Sequence, residues 1–123
     1  MIEATIFNNW CYGTSYNNVS KTCLNIGVFN PEGVEILRTQ SAKIDLKLIY
    51  LEANDKDRLL RQLNREKEPN CYEIVRRFGT DENDFAEEVI EFLRPDMFIL
   101  NNEGADINKI AHSIAEAWTQ KWF

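Results

Sequence analysis

The sequence predicts an α/β domain with a three-stranded, mainly parallel core sheet and flanking helices, and three observations carry that expectation. Apolar runs rich in β-formers stand at 24–29, 46–51 and 97–100, each followed by Asn, Pro, Gly or Asp punctuation. Segments of helical periodicity lie between and after them. The chain has 123 residues, 44% of them hydrophobic, with three Trp and seven Phe, which is enough to bury one core but hardly two. A single domain follows, with core strands near 24–30, 46–52 and 97–101.

Each element has its local reason. The sequence Glu3-Ala4-Thr5-Ile6-Phe7 followed by Tyr12-Gly13-Thr14-Ser15 predicts a small hairpin or lobe over residues 3–14. Pro31 suits the first turn of a short helix over 31–38, so strand, helix and strand at 24–52 suggest a right-handed crossover. Asn54 with Asp57 three residues later resembles a capping arrangement, and Leu59, Leu60 and Leu63 follow at helical spacing, predicting a helix over 54–67. Pro69 interrupts it and residues 72–78 resume the periodicity. Gly79-Thr80-Asp81 reads as a stop and a new N-cap for a helix over 85–93. Ile107, Ile110, Ala111, Ile114, Ala115 and Trp118 form the apolar stripe of a last amphipathic helix. Asn101-Asn102-Glu103-Gly104 reads as a strand exit and turn.

Charge and cysteine usage bound the function. With 14 basic against 20 acidic residues and a net charge of −6, the chain is poorly suited to grip nucleic-acid phosphates or an anionic membrane unaided. Small molecules and proteins, including a second copy of the chain, are the expected partners. Cys11, Cys23 and Cys71 are odd in number and lack metal-ligand spacing, and a single His112 completes no cluster with them. The expectation is reduced, inert thiols, no metal, no cofactor and a cytoplasmic protein without a membrane span.

Taken in order along the chain, several features resemble the guanylate kinases and the related phage-type deoxynucleoside monophosphate kinases. Glu3 stands nine residues before Tyr12 of a Tyr-Gly-Thr motif, as in that family, and Phe7 falls at its aromatic position. Phe29-Asn30-Pro31-Glu32-Gly33 resembles a strand end with an acidic residue and a Gly three later, with Asn30 in place of the Asp. Arg61, Arg65 and Arg76 resemble the lid arginines, and 97–102 the final strand with its exit. The resemblance implies a truncated, three-layer fold of the P-loop kinase kind. Residues 1–22 would be the remnant of the monophosphate-binding lobe, 23–53 and 94–123 the core, and 54–93 a lid-like helical region.

The implied chemistry is specific. A carboxylate at Glu3 can accept from the ring N–H and the exocyclic amino group of guanine, a pair of donors that adenine cannot offer. Thr14 or Ser15 can bond the guanine carbonyl, the Tyr12 hydroxyl can donate to the monophosphate, and Asn30 belongs to the same nucleotide-binding set. Arg61, Arg65 and Arg76 would bring forks of donors to phosphates, although they equally suit a solvated face paired with Glu66, Glu68 and Glu73. No glycine among Gly13, Gly27, Gly33, Gly79 and Gly104 opens a G-x-x-x-x-G-K-[ST] loop. The expectation is therefore a nucleoside monophosphate kinase-like protein, inactive by itself, that binds a guanine or related monophosphate, or that is one half of a kinase in two pieces. The alternative from another class is a protein-interaction module or inhibitor that reuses the kinase scaffold.

Overall fold

The computed structural model describes residues 3–7, 10–15, 19–20, 22–40 and 45–119, with the side chains of residues 3–12, 14, 118 and 119 outside the description. Its elements are β1 (Glu3–Phe7), β2 (Trp10–Thr14), α1 (Pro31–Arg38), β3 (Ile49–Glu52), α2 (Asp55–Arg65), α3 (Cys71–Asp84), α4 (Glu87–Leu93), β4 (Met97–Leu100) and α5 (Ile107–Thr119). The class is mixed α/β. The chain divides into two compact units, Met1–Leu46 with Asp84–Leu93 and Lys47–Asn83 with Arg94–Phe123.

The first unit is built on an antiparallel hairpin, β1 against β2, with Glu3 paired to Thr14 and Phe7 to Trp10. A lone hairpin is marginal in water, and here α1 lies along β1 and against α4. Asn30 starts α1: its side chain accepts from Gly33 N–H at 2.8 Å, and Pro31 occupies the first turn, where its missing N–H costs nothing. Among the described residues of this unit, Val34 and Leu37 on α1 and Ile90 and Leu93 on α4 are buried apolar side chains.

The second unit holds a parallel pair, β3 against β4, in the register Ile49 to Met97 through Glu52 to Leu100. Its ends are fastened by polar bonds. Leu48 N–H donates to the Asp96 carboxylate at 2.7 Å and Asp96 N–H returns to Leu48 O at 2.8 Å. At the other end Asn101 N–H donates to Glu52 O at 2.6 Å. Tyr50 and Phe98, opposite each other on the ladder, meet edge to face with centroids 5.9 Å apart.

Three expectations are corrected. Residues 24–30 lie outside every helix and ladder, so among the described residues the parallel sheet has two strands and not three, and the crossover built on 24–52 does not form. Leu24, Ile26 and Val28 are 44%, 81% and 99% exposed; an apolar run becomes a strand only where a neighbour takes its backbone groups, and no described strand pairs with this one. The strands near 46–52 and 97–101 are shorter than expected, at Ile49–Glu52 and Met97–Leu100.

Third, α3 runs unbroken through Gly79, where a stop and a cap were expected. A helix-interior glycine costs about 1 kcal/mol relative to Ala, and contacts on both sides outweigh it. Arg58 of α2 stacks its guanidinium 4.5 Å over the Phe78 ring and reaches the Glu82 carboxylate at 3.2 Å, so α2 clasps the turn that contains Gly79. The break moves to residues 85–86, and α4 begins at Glu87.

Candidate functional site

The hairpin register decides which candidate residues can act together. Glu3 and Thr14 are direct cross-strand partners, and Tyr12 pairs with Thr5 two positions along each strand. Side chains alternate across a ribbon with a period of two, and opposed residues share a face. Glu3, Thr5, Tyr12 and Thr14 therefore occupy one face of β1–β2. Gly13, between Tyr12 and Thr14, belongs to the other face, paired with Ala4.

Asn30 has a different occupation from the one the resemblance implies. Its side-chain oxygen is committed to Gly33 N–H as the α1 cap, which also accounts for the Asn-Pro-Glu-Gly order.

The arginines lie in the second unit. Arg61 and Arg65 stand one turn apart on α2, and Arg61 Nη1 donates to Asn101 O at 2.6 Å, tying the helix to the exit of β4. Arg76 of α3 is forked onto Glu73, with Nε at 3.0 Å from one carboxylate oxygen and Nη2 on the other. That donor pair holds the Glu73 carboxyl below its ordinary range, and the neighbouring charge of Arg77 acts in the same direction. Arg65 is exposed.

The residue that the sequence reading placed too modestly is Asp57. A capping box would return the acid at this position to the N–H of the cap residue. Here the Asn54 side chain caps Asp57 N–H at 2.8 Å, but Asn54 N–H goes instead to the Asn102 side chain at 2.7 Å. Asp57, a residue 7% exposed, accepts through its carboxylate from Glu103 N–H at 2.8 Å across the sheet end. The turn after β4 closes through Ala105 N–H to Asn102 O, with Gly104 at φ +83°, a conformation glycine adopts freely. Ligands of open parallel sheets settle outside the carboxyl ends of the strands. In this unit that edge is occupied by the chain's own bonds: Asn54, Asp57 and Arg61 from the α2 side, Asn101 to Glu103 from the β4 side.

Burial against the sheet pushes the Tyr50 phenol upward, with the Glu52 carboxylate adding to it and Arg58 opposing. Among the described residues no group of three or more His, Cys, Asp or Glu could hold a metal ion. Among those residues, no helix is long and apolar enough to cross a membrane. Cys23 and Cys71 are exposed thiols. Compared with protein-family models, with curated proteins and with solved structures, the chain matches none.

Proposed function

We propose that this chain is a kinase-like nucleotide-binding protein that takes a guanine nucleoside monophosphate on the Glu3/Tyr12/Thr14 face of its hairpin and, alone, transfers no phosphoryl group. The register that sets Glu3 opposite Thr14, with Tyr12 on the same face, is the observation that supports it. Base recognition needs the carboxylate and the hydroxyl to converge on one edge of a flat ring, and a strand pair one residue out of register would put them on opposite faces. Phosphoryl transfer needs a cradle of backbone N–H groups, a Lys and a metal-binding hydroxyl, and these 123 residues contain no such loop. Of the three arginines that resemble lid residues, Arg61 is bonded to Asn101 and Arg76 to Glu73, while Arg65 is exposed on α2.

Isothermal titration with GMP, dGMP, AMP and dTMP, with and without ATP and magnesium, tests this reading. Weak binding of the two guanine nucleotides, little or none of the others and no turnover are expected. Equal affinity for AMP would remove guanine recognition, and turnover by the purified chain would refute the second half. The competing reading, a protein-interaction module, draws on the exposed apolar side chains of Leu24, Ile26 and Val28 in the same unit.

A further inference from the structure

Independently of any nucleotide, we propose that residues 24–28 are a self-association surface, through which two copies of this chain pair as antiparallel strands centred on Ile26. The segment exposes Leu24 (44%), Ile26 (81%) and Val28 (99%) at alternating positions, the period of a strand. Among the described residues, none of Leu24, Ile26, Gly27, Val28 or Phe29 makes a hydrogen bond, so their backbone donors and acceptors face water and are available to a second chain.

Two features single out a second copy as the occupant. The order Leu24-Asn25-Ile26-Gly27-Val28 is self-complementary under two-fold symmetry. With Ile26 opposite Ile26, Leu24 meets Val28 and Asn25 meets Gly27, so the three aliphatic positions of each copy share one face. A register shifted by one residue would set Ile26 and Val28 against Gly27 and Asn25. The second feature is charge. Residues 1–31 contain Glu3 and Lys21 as their sole charged side chains and are neutral together, so the whole net charge of −6 resides on residues 32–123. Two acidic chains repel over most of their surface, and this stretch is where they approach without that cost. Five residues a side is a small interface, well below the roughly 1,200 Å² total of stable complexes, so the dimer is weak and forms in the upper part of the accessible concentration range.

Sedimentation velocity under reducing conditions, from micromolar to millimolar protein, should show the average mass climbing towards twice the monomer value. Ile26→Lys and Val28→Lys, substitutions at exposed positions that leave the circular dichroism spectrum unchanged, should each hold the chain monomeric throughout. Cysteine cross-linking in a background with Cys11, Cys23 and Cys71 changed to Ser reads the register. Cα atoms of opposed residues in an antiparallel pair are about 4.5–5.5 Å apart, within disulfide reach. Ile26→Cys should therefore oxidise to a covalent dimer at least tenfold faster than Val28→Cys, whose symmetry mate lies four residues away along the strand. A wild-type chain that stays monomeric at millimolar concentration overturns the proposal. So does a dimer that survives both lysine substitutions, or equal cross-linking at positions 26 and 28.

Discussion

Residues 97–100 and 24–29 are both short, uncharged, largely apolar and bounded by turn-forming residues, yet the first is a strand in a ladder and the second is not. Part of the difference lies within the runs, since Asn25 and Gly27 interrupt the second with poor strand formers, and part lies beyond them. β4 is preceded by Asp96, whose carboxylate and N–H grip Leu48, and followed by Asn101, whose N–H and carbonyl are taken by Glu52 and Arg61. Residues 24–29 have no comparable groups at either end: Cys23 and Asn25 turn their hydrogen bonds back onto Ser20, and Asn30 is spent on capping α1. An apolar run thus states a capacity for pairing, and the polar residues flanking it choose whether and where the capacity is used.

Removing Asp57, the buried acid of α2 that holds the turn after β4, should have the largest effect. Asp57→Ala leaves Glu103 N–H without its carboxylate, and a hydrogen bond to a charged group is worth about 1.5–3 kcal/mol. Amide exchange at residues 97–105 should quicken by roughly 10- to 100-fold, while exchange at 31–38 stays unchanged. Uniform loss across both units would mean that the latch is not local to the sheet end.

The caps come next and sharpen the comparison, since both units use an asparagine in the same role. Asn30→Ala and Asn54→Ala should each cost about 1 kcal/mol, the usual value for an N-cap. The bond from residue 54 N–H to Asn102 survives the second change because the backbone donates it. Exchange protection should therefore fall in α1 alone for the first variant and in the first turn of α2 for the second, with β4 protection kept in both. A smaller effect still is expected at Val28→Ala, within about 0.5 kcal/mol by thermal unfolding of the monomer, because the side chain is already in water. A loss of several times that would mean the segment is packed.

How much of this was legible follows the same division. The α1 boundaries, the Asn54 cap and the turn after β4 could be read because each depends on residues within four positions of one another, Asn30 with Gly33 being the clearest. Residues 3–14 were expected as a small hairpin or lobe, and β1 and β2 form an antiparallel hairpin there. What was not legible required partners far along the chain: Asp57 reaching Glu103, and Arg58 clasping Phe78 and Glu82 so that Gly79 fails to stop α3. The candidate site divides likewise. The hairpin face follows from local register, whereas the commitments of Arg61 to Asn101 and of Arg76 to Glu73 were open among several carboxylates and carbonyls.

The smallest expected effect is a pH dependence. The Glu73 carboxyl titrates below its ordinary range because Arg76 bonds its charged form. Its contribution to α3 is thus fully present above the unfolded carboxylate value, about pH 4.3, and fades as pH falls through the lowered folded value. Helical circular dichroism should decline slightly further between about pH 4 and pH 2 in the native chain than in Arg76→Ala. A decline of equal size in both would remove the Arg76 pair as its cause, and the pair's exposure to solvent keeps the difference slight.

The central claim, a guanine-selective face on the hairpin, is tested most directly by amide chemical shifts of residues 3–15 during parallel titrations with GMP and AMP to millimolar concentration, on the native chain and on Glu3→Gln. Saturable shifts for GMP that exceed those for AMP, and that shrink towards the AMP response in Glu3→Gln, are the predicted result. Shifts that are absent for both nucleotides, or equal for both and indifferent to Glu3→Gln, would contradict it.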